Sequence, residues 1–130
     1  MNTKPNPFAF IACVLLALAV TLGAFGAHWL RPLLGEQQQE VWKTAVLYHF
    51  VHSLGMLVLA FTDPHRFLLV NRLLFAGTVC FSGSLYGLSL PVVQNSTVAS
   101  VLGPITPLGG LCFVAGWIAA ALAIRKDRKA

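Results

Sequence analysis

The stretch YHFVHSLG at positions 48–55 sets two imidazoles, His49 and His52, three residues apart in an apolar segment, with the Tyr48 phenol and the Ser53 hydroxyl alongside. A neutral imidazole has one donor and one acceptor nitrogen and titrates near neutral pH. Three chemistries are therefore open to the pair: ligating a metal or haem, passing protons, or hydrogen-bonding between helices. On a helix, side chains four apart stack on one face. Glu40, Thr44, Tyr48 and His52 then form one line, and His49 and Ser53 the adjacent one. Thr78, Ser82 and Tyr86 form a similar line further along, and Thr21 and His28 share a face near the N-terminus. Polar groups facing lipid are costly, so these stripes are expected to face one another. They would make either a polar pathway or a set of interhelical hydrogen bonds worth ~0.6 kcal/mol each. Proton-coupled carriers commonly hold a carboxylate in mid-membrane. Here Glu36, Glu40, Asp63 and Asp127 all lie at or outside the edges of the apolar runs, which favours the hydrogen-bonding reading.

Metal binding has less behind it. Zinc would need two ligands beyond the pair. His28 is the candidate for a third, and a haem held by His28 and either His49 or His52 is geometrically open. No CxxCH motif is present, and Cys13, Cys80 and Cys112 lie singly in apolar runs, as small buried residues do. The sequence has no GxSxG, HExxH or phosphate-binding loop. It thus favours a protein that is not an enzyme, with no metal and no cofactor.

The elements that carry these residues are fixed by composition. Of 130 residues, 57% are hydrophobic and 10% charged, with mean hydropathy +0.75. Soluble domains carry about 25% charged residues. Four apolar runs, at roughly 8–30, 44–61, 67–90 and 105–124, approach or exceed the ~18–20 residues that cross a bilayer as helix. They lack period-2 alternation, and backbone groups in lipid must be satisfied within the segment, so helices are expected. The expected fold is all-α: one integral-membrane domain over 1–130, an antiparallel four-helix transmembrane bundle. Glu36 to Lys43 is expected to begin the second helix, TDPHR to make a tight turn, and Pro104 and Pro107 to sit in the first turn of the fourth. Small residues four apart, Ala19, Gly23 and Ala27, Gly83 and Gly87, Gly116 and Ala120, suit close helix packing. Gly23, Gly26, Gly83, Gly109 and Gly110 are open to an alternative role, leaving room for a lipid or ligand.

The net charge of +5 forms no nucleic-acid patch. Arg125, Lys126, Arg128 and Lys129 read as a membrane-flanking tail that meets anionic head groups. With Lys4, Arg66 and Arg72 they stand against Arg31 and Lys43 on the opposite side, which predicts both termini in the cytoplasm. Trp29 and Trp42 flank the outer connection as an aromatic belt would. The first apolar run is longer than the core of a signal peptide, so cleavage is not expected.

Four ordered stretches, LGAFGAHWL, YHFVHSLG, FSGSLYGLSL and GPITPLGGLCFVAGW, resemble the small bacterial inner-membrane proteins of domain of unknown function family 423. These are the UPF0382 or YgdD-like proteins, similar to small animal TMEM-type membrane proteins. The resemblance spans nearly the whole chain and implies a multi-pass plasma-membrane protein. It supplies no catalytic or ligand residues. The leading expectation is a structural or accessory protein that binds lipid or membrane partners, itself included. The alternatives are a small transporter or channel using Tyr48, His49 and His52, and a metal or haem protein.

Overall fold

A computed structural model describes residues 6–127. It is all-helical among those residues. Four helices are long and apolar enough to cross a membrane: α1 (Pro7–Leu30), α2 (Glu36–Thr62), α3 (Leu68–Ser89) and, after the short α4 (Pro91–Gln94), α5 (Thr97–Asp127). The shortest of the four has 22 residues. At ~1.5 Å per residue that is about 33 Å, enough for ~30 Å of hydrocarbon.

Local chemistry sets the helix ends. Asn6 Oδ1 accepts from the Phe8 amide (3.1 Å), with Pro7 in the first turn. Asn6 Nδ2 donates to the Ala60 carbonyl (2.6 Å), tying the start of α1 to the end of α2. Between α1 and α2, Gln39 Nε2 donates to the Arg31 and Leu34 carbonyls, both at 2.9 Å. In the α2–α3 turn, Asp63 Oδ1 accepts from the Arg66 amide (3.0 Å), and the Arg66 guanidinium donates to the Ala123 carbonyl near the end of α5.

The antiparallel pair α2 and α3 forms the centre, with α1 packed on α2 and α5 on α3. A core of Ala12, Met56, Phe67, Val70, Leu74, Phe113 and Ala120 fills the half near the α2–α3 turn. Leu30, Leu34 and Trp42 close the other end. The molecule is inside-out by the standards of a water-soluble protein. Phe10, Phe61 and Leu111 are 73%, 76% and 64% exposed, while His49, His52, Ser53, Asn71, Thr78, Ser82, Ser84 and Ser89 are buried. Lipid solvates the first group, and only protein can satisfy the second.

Several expectations need correction. Pro104 and Pro107 lie inside α5, which starts at Thr97. Each proline removes an amide donor, so the Ser100 and Gly103 carbonyls lose their usual partners. Such losses are tolerated in membrane helices where neighbouring groups adjust. Trp42 is not a belt residue. Its ring is buried and its Nε1 donates to the Leu22 carbonyl of α1 (3.0 Å), whereas Trp29 is 74% exposed.

Two π-helical turns, Gly26–Leu30 in α1 and Thr78–Ser82 in α3, had no sequence signal. The second carries Phe81 against Gly109, where a Cβ would stand 2.8 Å from Phe81 Cα. Of the small residues, Gly23, Gly87 and Gly116 lie in interhelical contacts, within 3.4, 2.6 and 3.0 Å of a neighbouring side chain as judged from an added Cβ, and Ala120 is buried. Gly83 and Ala27 are exposed, and a Cβ on Gly83 meets nothing within 4 Å. Spacing shows which residues share a face, but not whether that face looks inward.

Candidate functional site

The polar side chains of the central pair are only partly joined. His49 Nδ1 and the Tyr86 hydroxyl share a hydrogen bond of 3.1 Å across α2 and α3, and Trp42 packs on Tyr86 with ring centres 4.8 Å apart. The antiparallel register set by that pair brings Ser53 to the depth of Ser82. Among the described residues neither of their hydroxyls has a protein partner, while the His49 ring, whose Nε2 makes no hydrogen bond of normal geometry, approaches the Leu15 backbone of α1. Other polar residues of α2 and α3 bond to their own helices. Thr44 donates to the Glu40 carbonyl (2.9 Å), Thr78 to Leu74 (2.9 Å) and Ser89 to Leu85 (2.7 Å). Such back-bonding to the preceding turn leaves no need for an interhelical partner. Thr21 does the same with Ala17 (2.8 Å), and both it and His28 are exposed. The α1 stripe therefore does not join the interior, and Thr44 faces outward.

Asn71 was missed by the sequence reading. It is fully buried, and both its amide atoms lack a partner among the described residues. It stands beside Arg72, where the third run seemed to be leaving the membrane. The signal was the set Phe67, Val70, Asn71, Leu74 and Thr78, a helical face on which Asn71 is an inward position.

His52 belongs to a different setting. Its ring stacks on Phe113 of α5 (3.5 Å between centres, 13° between planes) and lies near Tyr48 and Trp117 (5.7 and 6.1 Å). Phe81 packs on Tyr48 (4.6 Å) and edge-on to Phe113 (5.6 Å). These rings line a groove of about 740 Å³ between α2 and α5. His52 Nδ1 is 2.7 Å from the Tyr48 carbonyl. A carbonyl only accepts, so Nδ1 carries the proton, and Nε2 of the neutral ring is left as an acceptor.

A second groove, of about 600 Å³, runs between α1 and α2 at the end where they connect. Gly23, Gly26 and Ala27 keep the α1 wall low, and Leu34, Val46, Leu47 and Phe50 supply apolar surface. Arg31 and Lys43 also line it. Lys43 pairs with Glu40 at 2.6 Å, on the exposed side of α2. Among the described residues, no three His, Cys, Asp or Glu side chains gather as a metal site would require.

Comparison with known proteins agrees with this architecture. Residues 22–110 match the family described as "Protein of unknown function (DUF423)". The chain belongs to the DUF423 family. It is 43% identical to the UPF0382 membrane protein YwdK of Bacillus subtilis, covering 85% of this chain and 89% of that one. A UPF0382 membrane protein of Staphylococcus haemolyticus is 40% identical (85% and 88% covered), and one of Staphylococcus epidermidis is 38% identical (92% and 95% covered). No solved structure matches. The DUF423 match takes in the end of α1, all of α2 and α3, and α5 as far as Gly110. The groove between α1 and α2 and the His49–Tyr86 pair therefore fall within it, whereas the groove between α2 and α5 falls half outside, with Phe113 and Trp117 beyond its end. The chain is a multi-pass membrane protein, as the relatives' names and the four apolar helices agree.

Proposed function

We propose that this DUF423 protein is a non-catalytic accessory protein of the bacterial plasma membrane, and that it holds an anionic phospholipid in the groove between α1 and α2. The observation that carries the reading is the pairing of an apolar trough with two cations: Leu34, Val46, Leu47 and Phe50 lie in the same groove as Arg31 and Lys43. An acyl chain fits the first set and a phosphate the second. Exposed Trp29, two residues from Arg31, suits the head-group level at which such a phosphate would lie. The excess of Lys and Arg at the other side of the molecule supports cytoplasmic termini, and so a lipid drawn from the outer leaflet.

Basic residues near the membrane surface contribute ~1 kcal/mol each toward anionic lipid. Lys43 is already paired with Glu40, so Arg31 carries most of this, a preference of about fivefold over a zwitterionic lipid with the same chains. Native mass spectrometry of the full chain, released from lipid nanodiscs of each composition, tests this. Retention of anionic lipid, lost in the Arg31→Gln/Lys43→Gln variant, is the expected result. Equal retention of both lipids overturns the reading.

A second reading is conduction along the α2–α3 interface. It is favoured by the buried polar side chains of His49, Ser53, Ser82 and Asn71 on α2 and α3, each with an atom that makes no hydrogen bond of normal geometry among the described residues. Proton flux into liposomes that falls on Tyr86→Phe would support it, and no flux above protein-free liposomes would end it.

A further inference from the structure

We propose that the groove between α2 and α5 binds a planar, lipid-soluble ring bearing a hydroxyl donor, of the phenol or hydroquinone class, with His52 Nε2 as the acceptor. This site is separate from the groove between α1 and α2 and stands on different residues.

Depth is the first argument. Along α2, His52 lies about 14 Å from Lys43 and about 15 Å from Thr62 at ~1.5 Å per residue. It is therefore near the middle of ~30 Å of hydrocarbon. Acyl chains offer no donor there, and water is scarce. Yet the Tyr48 carbonyl fixes the tautomer that leaves Nε2 as an acceptor, and among the described residues Nε2 makes no hydrogen bond to the protein. An acceptor left open in that medium suits a donor that dissolves in the membrane.

The walls give the second argument. Phe113 covers one face of the imidazole, and Tyr48, Phe81 and Trp117 surround the opening with further rings. Offset and edge-on contacts of this kind favour a flat ring over a flexible chain. The volume of about 740 Å³ lies within the range of small-molecule sites. The floor is built for the purpose of openness rather than closure: Phe81 rides on the π-helical turn Thr78–Ser82, and Gly110 presents only backbone above it, a Cβ there meeting Phe81 at 3.7 Å. A metal is not the occupant this geometry favours, since no second and third ligand stand near His52 among the described residues.

The test uses the full chain in nanodiscs and two probes, 4-nonylphenol and its methyl ether, which differ in the hydroxyl donor. Binding is read from indole fluorescence, with Trp117→Phe locating the signal. The wild type is expected to bind the phenol saturably and about tenfold more tightly than the ether, the worth of one hydrogen bond. His52→Phe keeps an aromatic ring and is expected to bind both equally. Equal affinities in the wild type, or a preference that survives His52→Phe, overturn the proposal. Val114 is 56% exposed and lines the groove, so Val114→Trp fills it without touching the core. It is expected to abolish saturable binding of both probes, and unchanged binding overturns the proposal even if His52→Phe fails to fold.

Discussion

Replacing Gly109 with Ala tests the packing most severely. The added Cβ would stand 2.8 Å from both Phe81 Cα and Phe81 Cβ. Carbon atoms pack at about 3.5–4.0 Å. The backbones of α3 and α5 must therefore part by about 1 Å, because a backbone atom cannot swing aside as a side-chain tip can. Overpacking of this kind costs about 1–3 kcal/mol. Separation also loosens Phe81 on Phe113, so the figure belongs in the upper half of that range. Gly83→Ala is the control. It adds the same methyl to the same helix pair's neighbourhood, but meets nothing within 4 Å. Ala favours helix over Gly by up to about 1 kcal/mol. Gly83→Ala is thus expected to be neutral or slightly stabilising, with the two variants about 2–4 kcal/mol apart. Reversible unfolding in mixed micelles, followed by circular dichroism, measures both. Comparable stability of the two variants would refute the close approach of α5 to the π-helical turn of α3.

Other substitutions probe the polar interior. Asn71→Leu should stabilise the protein by about 1–2 kcal/mol in the same unfolding assay, since it removes two unpartnered buried atoms at similar volume; a clear loss would mean that Asn71 has a partner in the membrane. Tyr86→Phe should cost about 0.6 kcal/mol, the mean for an interhelical hydrogen bond, and a loss above 2 kcal/mol would show that His49 depends on that hydroxyl far more than on its surroundings. Trp42→Phe removes the bond to the Leu22 carbonyl and should loosen α1 from α2, seen as faster amide exchange confined to the C-terminal half of α1. If protection there is unchanged, the indole is not what holds that end.

Much of the fold was legible because lipid leaves a chain few choices. Long apolar runs had to be helices, and TDPHR had to turn, with Asp63 closing on the Arg66 amide. Periodicity placed His49 opposite another polar helix, and Tyr86 meets it there. The missing parts have physical reasons. Thr44 and Thr78 can each satisfy a hydroxyl on their own helix, so a shared stripe does not imply a shared network. A π-helical turn adds one residue to a helix without any required residue type, so Gly26–Leu30 and Thr78–Ser82 left no mark. Proline signals a helix start only where its missing amide matters, and in α5 it did not prevent the helix from beginning earlier. The grooves could not be read because each needs residues far apart in sequence: Arg31 with Phe50 in one, His52 with Trp117 in the other.

The most direct test of the central claim is photo-crosslinking of the full chain in bilayers with an anionic phospholipid that carries a diazirine on one acyl chain. Crosslinks concentrated on Val46, Leu47 and Phe50, and displaced by unlabelled anionic lipid but not by zwitterionic lipid, are the predicted result. Crosslinks spread evenly over the exposed apolar surface of all four helices, or competed equally by both lipids, would contradict it.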